Sequence, residues 1–481
     1  MNTMKYLLAG ALMVVSGSAM AQSFDEAVKA VKSGQSPKEV ESLVKDVKDW
    51  KKNAAGLAKV GRAYLDVKDT LNTRKYANLA VDAEKKLKEG KTAVGYILLG
   101  DLEVYNDNPG DAAAWYQNAI YFNPKAAEAY KKYAFIYRGR DPKQAVQTLE
   151  QLRTVDPTYP VDAEAGHIYY MSATKNSDYM PLALQAYQKV QLEDLSKLEP
   201  YYMTEYALVA FASQKNDLSK KIAEFGLKST PRNAGYNRLA MYNSVELKQF
   251  EDAVKYTNRL FNESDTAKFT PMDYKYAALA YEGINDLDNA VANYKKQIDC
   301  CTSETQKITA LKDLSDCYKA KGDLVNSLAT YEEYLKLNPK ASANDYAGFA
   351  NIYRNMAAEQ TGAEQKESVD KALAIYKDMI EKFPNSADYS NFMAARTSSI
   401  IDPDQKLGLA RPYYEALFNS ISAAGIKDNS DKARIVEACQ YLGIYFFKIQ
   451  NDNEAAKPYF EKLQEIDPEN ALAKQVLSII K

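Results

Sequence analysis

The chain predicts an all-α fold, an array of about 11–12 stacked helix-turn-helix hairpins closed by a C-terminal capping helix. Three observations predict it. One pattern of small and aromatic residues recurs four times and always ends in proline. Gly and Pro are sparse, at 20 and 16 of 481 residues. No valine- and isoleucine-rich alternation of the kind strands need recurs along the chain.

The four stretches are AAAWYQNAIYFNP ending at Pro124, SLATYEEYLKLNP at Pro339, ALAIYKDMIEKFP at Pro384 and AKPYFEKLQEIDP at Pro468. Each opens with a small residue, Ala112, Ser327, Ala372 or Ala456. Four positions later stands an aromatic, Tyr116, Tyr331, Tyr376 or Phe460, and three further on an anchor, Ala119, Tyr334, Met379 or Leu463. Positions i, i+4 and i+7 share one helix face, and proline cannot continue the helix. The small residue admits a neighbouring helix, and the aromatic fills the space beside it.

A second face precedes this one. In ITALKDLSDCYKAKGD, Leu311, Leu314, Ser315 and Tyr318 recur at spacings of 3, 1 and 3. With Pro339 counted as position 32, these residues and Ser327, Tyr331 and Tyr334 fall at 4, 7, 8, 11, 20, 24 and 27. The pattern resembles the tetratricopeptide repeat, a helix-turn-helix unit of about 34 residues. The preceding unit matches with Tyr274, Ala277, Ala278, Tyr281, Ala290 and Tyr294, and departs at Thr302, where proline is expected. The unit ending at Pro124 has Tyr96, Leu99 and Gly100, but Glu103 where an aromatic is usual. Its core is completed by Ala112 and Tyr116; Pro339, Pro384 and Pro468 are counted with the repeat core of their units.

Hairpins are predicted at 24–49, 51–88, 91–122, 126–154, 161–193, 199–229, 232–263, 269–299, 304–336, 341–382, 386–422 and 430–466, with ALAKQVLSII as the final helix. Residues 22–90 read as an N-terminal helical segment with a degenerate unit in NAAGLAKVGRAYLDV, and 91–481 as the repeat array proper. AKGDLVNS, GINDLDNA, YNDNPGDA, QKNDLSKK and IQNDNEAA place Gly, Asn or Asp before a second helix, as capped turns do. They lack the ligand spacing of a calcium loop. The resemblance implies an α-solenoid, a right-handed superhelix with a concave groove.

The start of the chain reads as an export signal. MNTMK carries Lys5, YLLAGALMVV is an apolar run of signal-peptide length, and Ala19-Met20-Ala21 fits the small-x-small rule. Residues 1–21 are therefore expected to be cleaved, leaving a chain in the bacterial periplasm, outer-membrane associated or secreted. No later segment reaches transmembrane length. Cys300, Cys301, Cys317 and Cys439 show no CxxC spacing, and Cys317 falls on a buried helix side, so unbridged thiols are expected.

Composition and motifs bear on function. A net charge of −2 argues against a generic nucleic-acid binder. A single histidine, His167, rules out HExxH and His-rich metal sites, and it reads as a core residue rather than a base. No phosphate-loop, dinucleotide or nucleophile-elbow motif occurs. No cofactor, metal or catalytic residue is therefore expected. Most of the 37 tyrosines read as core; in the adjacent pairs Tyr169–Tyr170, Tyr201–Tyr202 and Tyr413–Tyr414 one ring of each cannot share its neighbour's interface.

The resemblance further implies that ligands bind through positions 2, 5, 9 and 12 of each first helix. These are Thr309, Lys312, Asp316 and Lys319 in one unit; Met272, Lys275, Leu279 and Glu282 in the preceding one; and Glu128, Lys131, Phe135 and Arg138 in the unit ending at Pro157. The Lys and Asn set that clamps a C-terminal carboxylate is not reproduced, since Asp316 and Leu279 stand where asparagine would. Lys131, Phe135, Arg138, Lys275, Lys312, Asp316 and Lys319 are the candidate groove residues, although each taken singly reads as a solvated helix residue. The expected function is a non-catalytic scaffold or adaptor of the cell envelope binding a peptide or protein face. The alternative is a glycan- or peptidoglycan-binding protein using exposed tyrosines such as Tyr201 and Tyr413.

Overall fold

A computed structural model describes residues 21–265 and 267–480. The expected signal segment, 1–21, lies outside these residues except for Ala21. All elements among the described residues are helical, and the architecture is an α-solenoid of successive hairpins. In order they are α1 (Ala21–Lys32), α2 (Pro37–Lys45), α3 (Ala54–Asp66), α4 (Thr70–Lys85), α5 (Val94–Tyr105), α6 (Pro109–Phe122), α7 (Ala127–Tyr137), α8 (Pro142–Leu152) and α9 (Val161–Ala173). Then follow α10 (Met180–Tyr187), the single turn α11 (Leu192–Leu195), α12 (Pro200–Ala212), α13 (Asn216–Ser229), α14 (Ala234–Glu246), α15 (Phe250–Asn258), α16 (Pro271–Gly283) and α17 (Leu287–Cys300). The remainder are α18 (Glu304–Ala320), α19 (Leu324–Leu337), α20 (Ala343–Glu359), α21 (Gly362–Lys382), α22 (Ala387–Ser398), α23 (Arg411–Ala424), α24 (Asn429–Ile444), α25 (Asn453–Ile466) and α26 (Ala471–Ile479).

The chain divides into two compact units, one ending at Asn243 and one beginning at Ser244. In the first, the paired helices are α1–α2, α3–α4, α5–α6, α7–α8, α9–α10 and α12–α13; the second helix of one pair packs on the first of the next, as α4 on α5, α6 on α7 and α8 on α9. In the second unit the pairs are α16–α17, α18–α19, α20–α21, α22–α23 and α24–α25, and α26 packs on α25 as the cap.

The small-and-aromatic pattern builds each interface. Ala112, Tyr116, Ala119, Leu99 and Gly100 are buried, as are Ala290, Tyr294, Leu311, Leu314, Tyr318, Tyr331, Tyr376 and Phe460. Where small residues are polar they bond across the hairpin: the Ser315 hydroxyl donates to the Ser327 carbonyl (2.7 Å) and the Ser327 hydroxyl to the Ser315 carbonyl (2.9 Å). Tyr96, Tyr274 and Tyr281 are only half-buried, because they flank the interface rather than cross it.

The prolines need correction. Pro339, Pro384 and Pro468, counted above with the core, are exposed. Each stands one residue past a C-cap, at Asn338, Phe383 or Asp467, whose ψ of 91, 71 or 90° leaves the helical region. Proline forces that backbone on the residue before it, so these residues end helices without filling space.

The turns are built as expected, with one shift. A residue at positive φ precedes an Asp N-cap at Gly322-Asp323, Asn285-Asp286 and Asn451-Asp452. Lys68-Asp69 does the same without Gly, Asn or Asp in the left-handed position. In QKNDLSKK it is Gln214, at φ 57°, that turns the chain, and Asn216 already belongs to α13.

Candidate functional site

The first helices of neighbouring hairpins are tied together by ion pairs. Asp101 on α5 accepts from Lys132 Nζ on α7 (2.8 Å) and from Arg62 on α3. Lys275 on α16 reaches Asp313 on α18 (2.8 Å), Lys312 on α18 reaches Asp345 on α20 (2.6 Å), and Arg396 on α22 grips Glu437 on α24 through two bonds of 2.7 and 2.5 Å. Partners of opposite charge on successive first helices face one another because the repeat holds those helices in register.

Two candidate cations are thereby engaged. Lys275 and Lys312 hold carboxylates of the next hairpin, and the Asp345 carboxylate also accepts from the Ser342 N–H (2.9 Å) and hydroxyl (2.7 Å) to cap α20. Burial opposes ionisation of Asp345, but the Lys312 ammonium and the Ser342 bonds more than offset it and hold the carboxyl well below its usual range. Asp316 and Lys319 remain exposed on α18.

The other three candidates meet in the first unit. Lys131 pairs with Asp156 (3.0 Å) and its Nζ lies 4.4 Å from the centre of the Tyr159 ring. Arg138, the C-cap of α7, lays its guanidinium over Phe135 at 3.8 Å. No carboxylate of the described residues lies within ion-pairing distance of it; Glu164, Tyr201 and Tyr202 are the ionisable groups that face it, and burial pushes its pKa down.

Beside Arg138, α9 and α12 continue the same surface. His167 Nδ1 lies 2.9 Å from Glu205 Oε2, which also accepts from the Tyr187 hydroxyl (2.7 Å). The His167 ring stands 5.0 Å from that of Tyr201, which stands 4.3 Å from Tyr202. The Tyr202 hydroxyl donates to Glu164. Tyr202 is buried while Tyr201 is 41% exposed, so the adjacent pair divides between core and surface as expected. Met171 on α9 (51%) and Leu208 on α12 (36%) are exposed with it. His167 is thus no simple core residue, because it joins a polar network at the edge of this face.

Glu164, Glu205, Met171 and Leu208 were not among the sequence candidates. Glu205 carried a signal, standing 38 residues after His167, close to one repeat length. Met171 and Leu208 carried none, because the longer turn of the unit around HIYYMSATKNSDYM loosens the register of the helices that bear them. Tyr413 packs, half-buried, against two core clusters, which removes it from the exposed tyrosines on which saccharide binding would depend.

Among the described residues no group of three or more His, Cys, Asp or Glu is placed to hold a metal ion. Among the described residues no helix is long and apolar enough to cross a membrane. Cys317 and Cys439 are buried, and all four cysteines are unbridged. A recess of ≈ 500 Å³ along α21, lined by Lys366, Glu367, Asp370 and Lys371, is the solvent side of one helix and lies away from the candidate residues.

The family model of the tetratricopeptide repeat matches residues 436–470, which span the end of α24 and α25. No curated protein matches the chain. Among solved structures, the chain is similar to the C-terminal part of a TPR repeat-containing protein from Cytophaga hutchinsonii, at 20% identity over 57% of this chain and 99% of that one, with a TM-score of 0.44. A tetratricopeptide repeat protein from Parabacteroides merdae is 16% identical over 55% of this chain and 98% of its own, with a TM-score of 0.32. PilW, a widely conserved type IV pilus biogenesis factor, is 14% identical over 46% and 100%, with a TM-score of 0.32.

Proposed function

We propose that this chain is a non-catalytic scaffold or adaptor, exported to a bacterial cell envelope, that binds a peptide segment or protein face on the first-helix side of its hairpins. One observation carries the reading. The α7–α9–α12 face leaves Met171, Tyr201 and Leu208 in solvent, while the charged groups around it are mostly fixed in bonds to one another. Exposed apolar side chains set among ordered polar groups are how partner-binding faces are made. The hairpins hold that surface rigid, so little ordering entropy opposes binding. Export rests on the apolar run YLLAGALMVV and the Ala19-Met20-Ala21 site.

The test is affinity purification of the chain beginning at Gln22 from its own cell envelope after mild crosslinking. A few stoichiometric protein partners support the scaffold. Glycan fragments recovered without protein would replace it with saccharide binding through Tyr201. Appearance of the uncleaved chain in the cytosolic fraction would overturn the export reading alone.

A further inference from the structure

Arg138 differs from its neighbours on α7 in forming no ion pair. There, Lys131 holds Asp156 and Lys132 holds Asp101, whereas Arg138 stacks on the Phe135 ring and pairs with no carboxylate of the described residues. The acidic group that faces it, Glu164, accepts from the Tyr202 hydroxyl and forms no ion pair with Arg138. A half-buried guanidinium has lost part of its hydration and gained no direct ion pair in return. It is already oriented by its stack on Phe135, with its fork of donors available to a planar acid. The Ser172 hydroxyl lies 3.5 Å from the Arg138 carbonyl, which places the end of α7 against the end of α9, where Met171 is exposed. Tyr201 and Leu208 extend the apolar area along α12.

Resting on the binding role proposed above, we propose that this face takes an acidic segment of another protein chain. The carboxylate of an internal Asp or Glu sits on Arg138, and a nearby apolar side chain lies among Met171, Tyr201 and Leu208. Packed helices stand about 10 Å apart, and an extended chain advances about 3.3 Å per residue. The acidic and apolar residues of the segment are therefore about three to six positions apart. The unpaired guanidinium selects the acid: a basic segment would meet the Arg138 charge directly, and a neutral one would leave the half-buried guanidinium without an ion pair.

The experiment pans a phage-displayed library of random 12-residue peptides, fused through their C-termini so that no terminal carboxylate is free, on the full chain. Enriched sequences are then made as capped synthetic peptides, and their affinities are read by fluorescence anisotropy. The expected result is enrichment of Asp or Glu within about six residues of an aromatic or aliphatic residue. Glu→Gln in the peptide and Arg138→Gln in the protein should each weaken binding about tenfold or more, and the two together no more than either alone. The peptide substitution tests the contact even if Arg138→Gln lowers stability. Peptides that bind but ignore both substitutions overturn this inference and leave the scaffold reading intact. Failure to enrich any peptide counts against both. Self-association of the chain lost on Arg138→Gln would make a second copy the occupant and also overturn the inference.

Discussion

The hydroxyl of Tyr116 donates to the carboxylate of Asp101 at 2.6 Å, tying the second helix of a hairpin to an ion cluster on the first. Asp101 is 1% exposed. Burial opposes its charge, but Arg62 and Lys132 more than offset that and hold the carboxyl below its usual range. Asp101→Asn keeps the shape and removes the charge, leaving two half-buried cations facing an amide. We expect a loss of roughly 3 kcal/mol at neutral pH, read as faster amide hydrogen exchange across α3, α5 and α7. Unchanged protection there would show that the cluster contributes nothing net.

Tyr76 presents the opposite case. Its ring stacks on Tyr64 with centroids 5.5 Å apart, and both hydroxyls are buried without a partner. Burial pushes the Tyr64 phenol up to about 12. An unsatisfied buried hydroxyl costs stability, so Tyr76→Phe should be neutral or stabilise by up to about 1 kcal/mol. Tyr116→Phe, which strips a buried carboxylate of a donor, should lose about 1–2 kcal/mol. Urea titrations of the two variants decide it. A loss above 1 kcal/mol for Tyr76→Phe would mean that its hydroxyl is satisfied by buried water.

What was legible in the chain follows from this contrast. Period and punctuation are local, so the small residue, the aromatic and the closing proline located the hairpins within a few residues. Register between hairpins is not local. Lys275 and Asp313 stand 38 residues apart, and Lys312 and Asp345 stand 33 apart. Only the fold shows that such pairs meet, so lysines chosen as ligand contacts prove to be ties between repeats. Glu103 illustrates the same limit. It looked like a missing aromatic, yet it is buried and takes Arg74 at 2.5 Å and Asn108 at 3.1 Å, an ion pair in place of ring packing. Arg138 and Phe135 were found because they fall at ligand positions 9 and 12 of a first helix, which the resemblance supplies. Met171, Tyr201 and Leu208 stand on two helices whose spacing departs from the repeat, so their exposure was not legible from its periodicity.

The Lys312–Asp345 pair sets an acid limit on α18–α20. Asp345 has a depressed carboxyl pKa in the folded chain, so its contribution is complete above the unfolded value near 4 and is lost as pH falls. Lys312, raised first by its bond to Asp345, keeps its contribution below the ordinary lysine range and loses it only in strong alkali. Asp345→Asn should therefore cost roughly 1–2 kcal/mol at pH 7, the scale of a lost helix cap with a charge-assisted bond. The gap to the unsubstituted chain should narrow steadily from about pH 4 down to pH 2. Thermal melts across that range check it; a gap constant with pH would show that the aspartate acts by shape and not by charge.

Two glycines ten residues apart should respond to alanine with opposite signs. Gly100 lies on α5 where a Cβ would stand 2.4 Å from Tyr116 Cε1, inside any real contact distance. The ring is buried and bonded to Asp101, so it has little freedom to withdraw. Overpacking of this kind costs about 1–3 kcal/mol, which outweighs the roughly 1 kcal/mol that alanine gains in a helix. Gly110 sits in the first turn of α6, and a Cβ there meets nothing within 4 Å. Gly110→Ala therefore keeps the propensity gain without the clash and should stabilise by up to about 1 kcal/mol. Melting temperatures of the two variants, measured together, test whether the Gly100–Tyr116 contact sets the spacing of α5 and α6. If Gly100→Ala is neutral, the hairpin widens at no cost, and the small residue at this position is not what fixes the approach of the two helices.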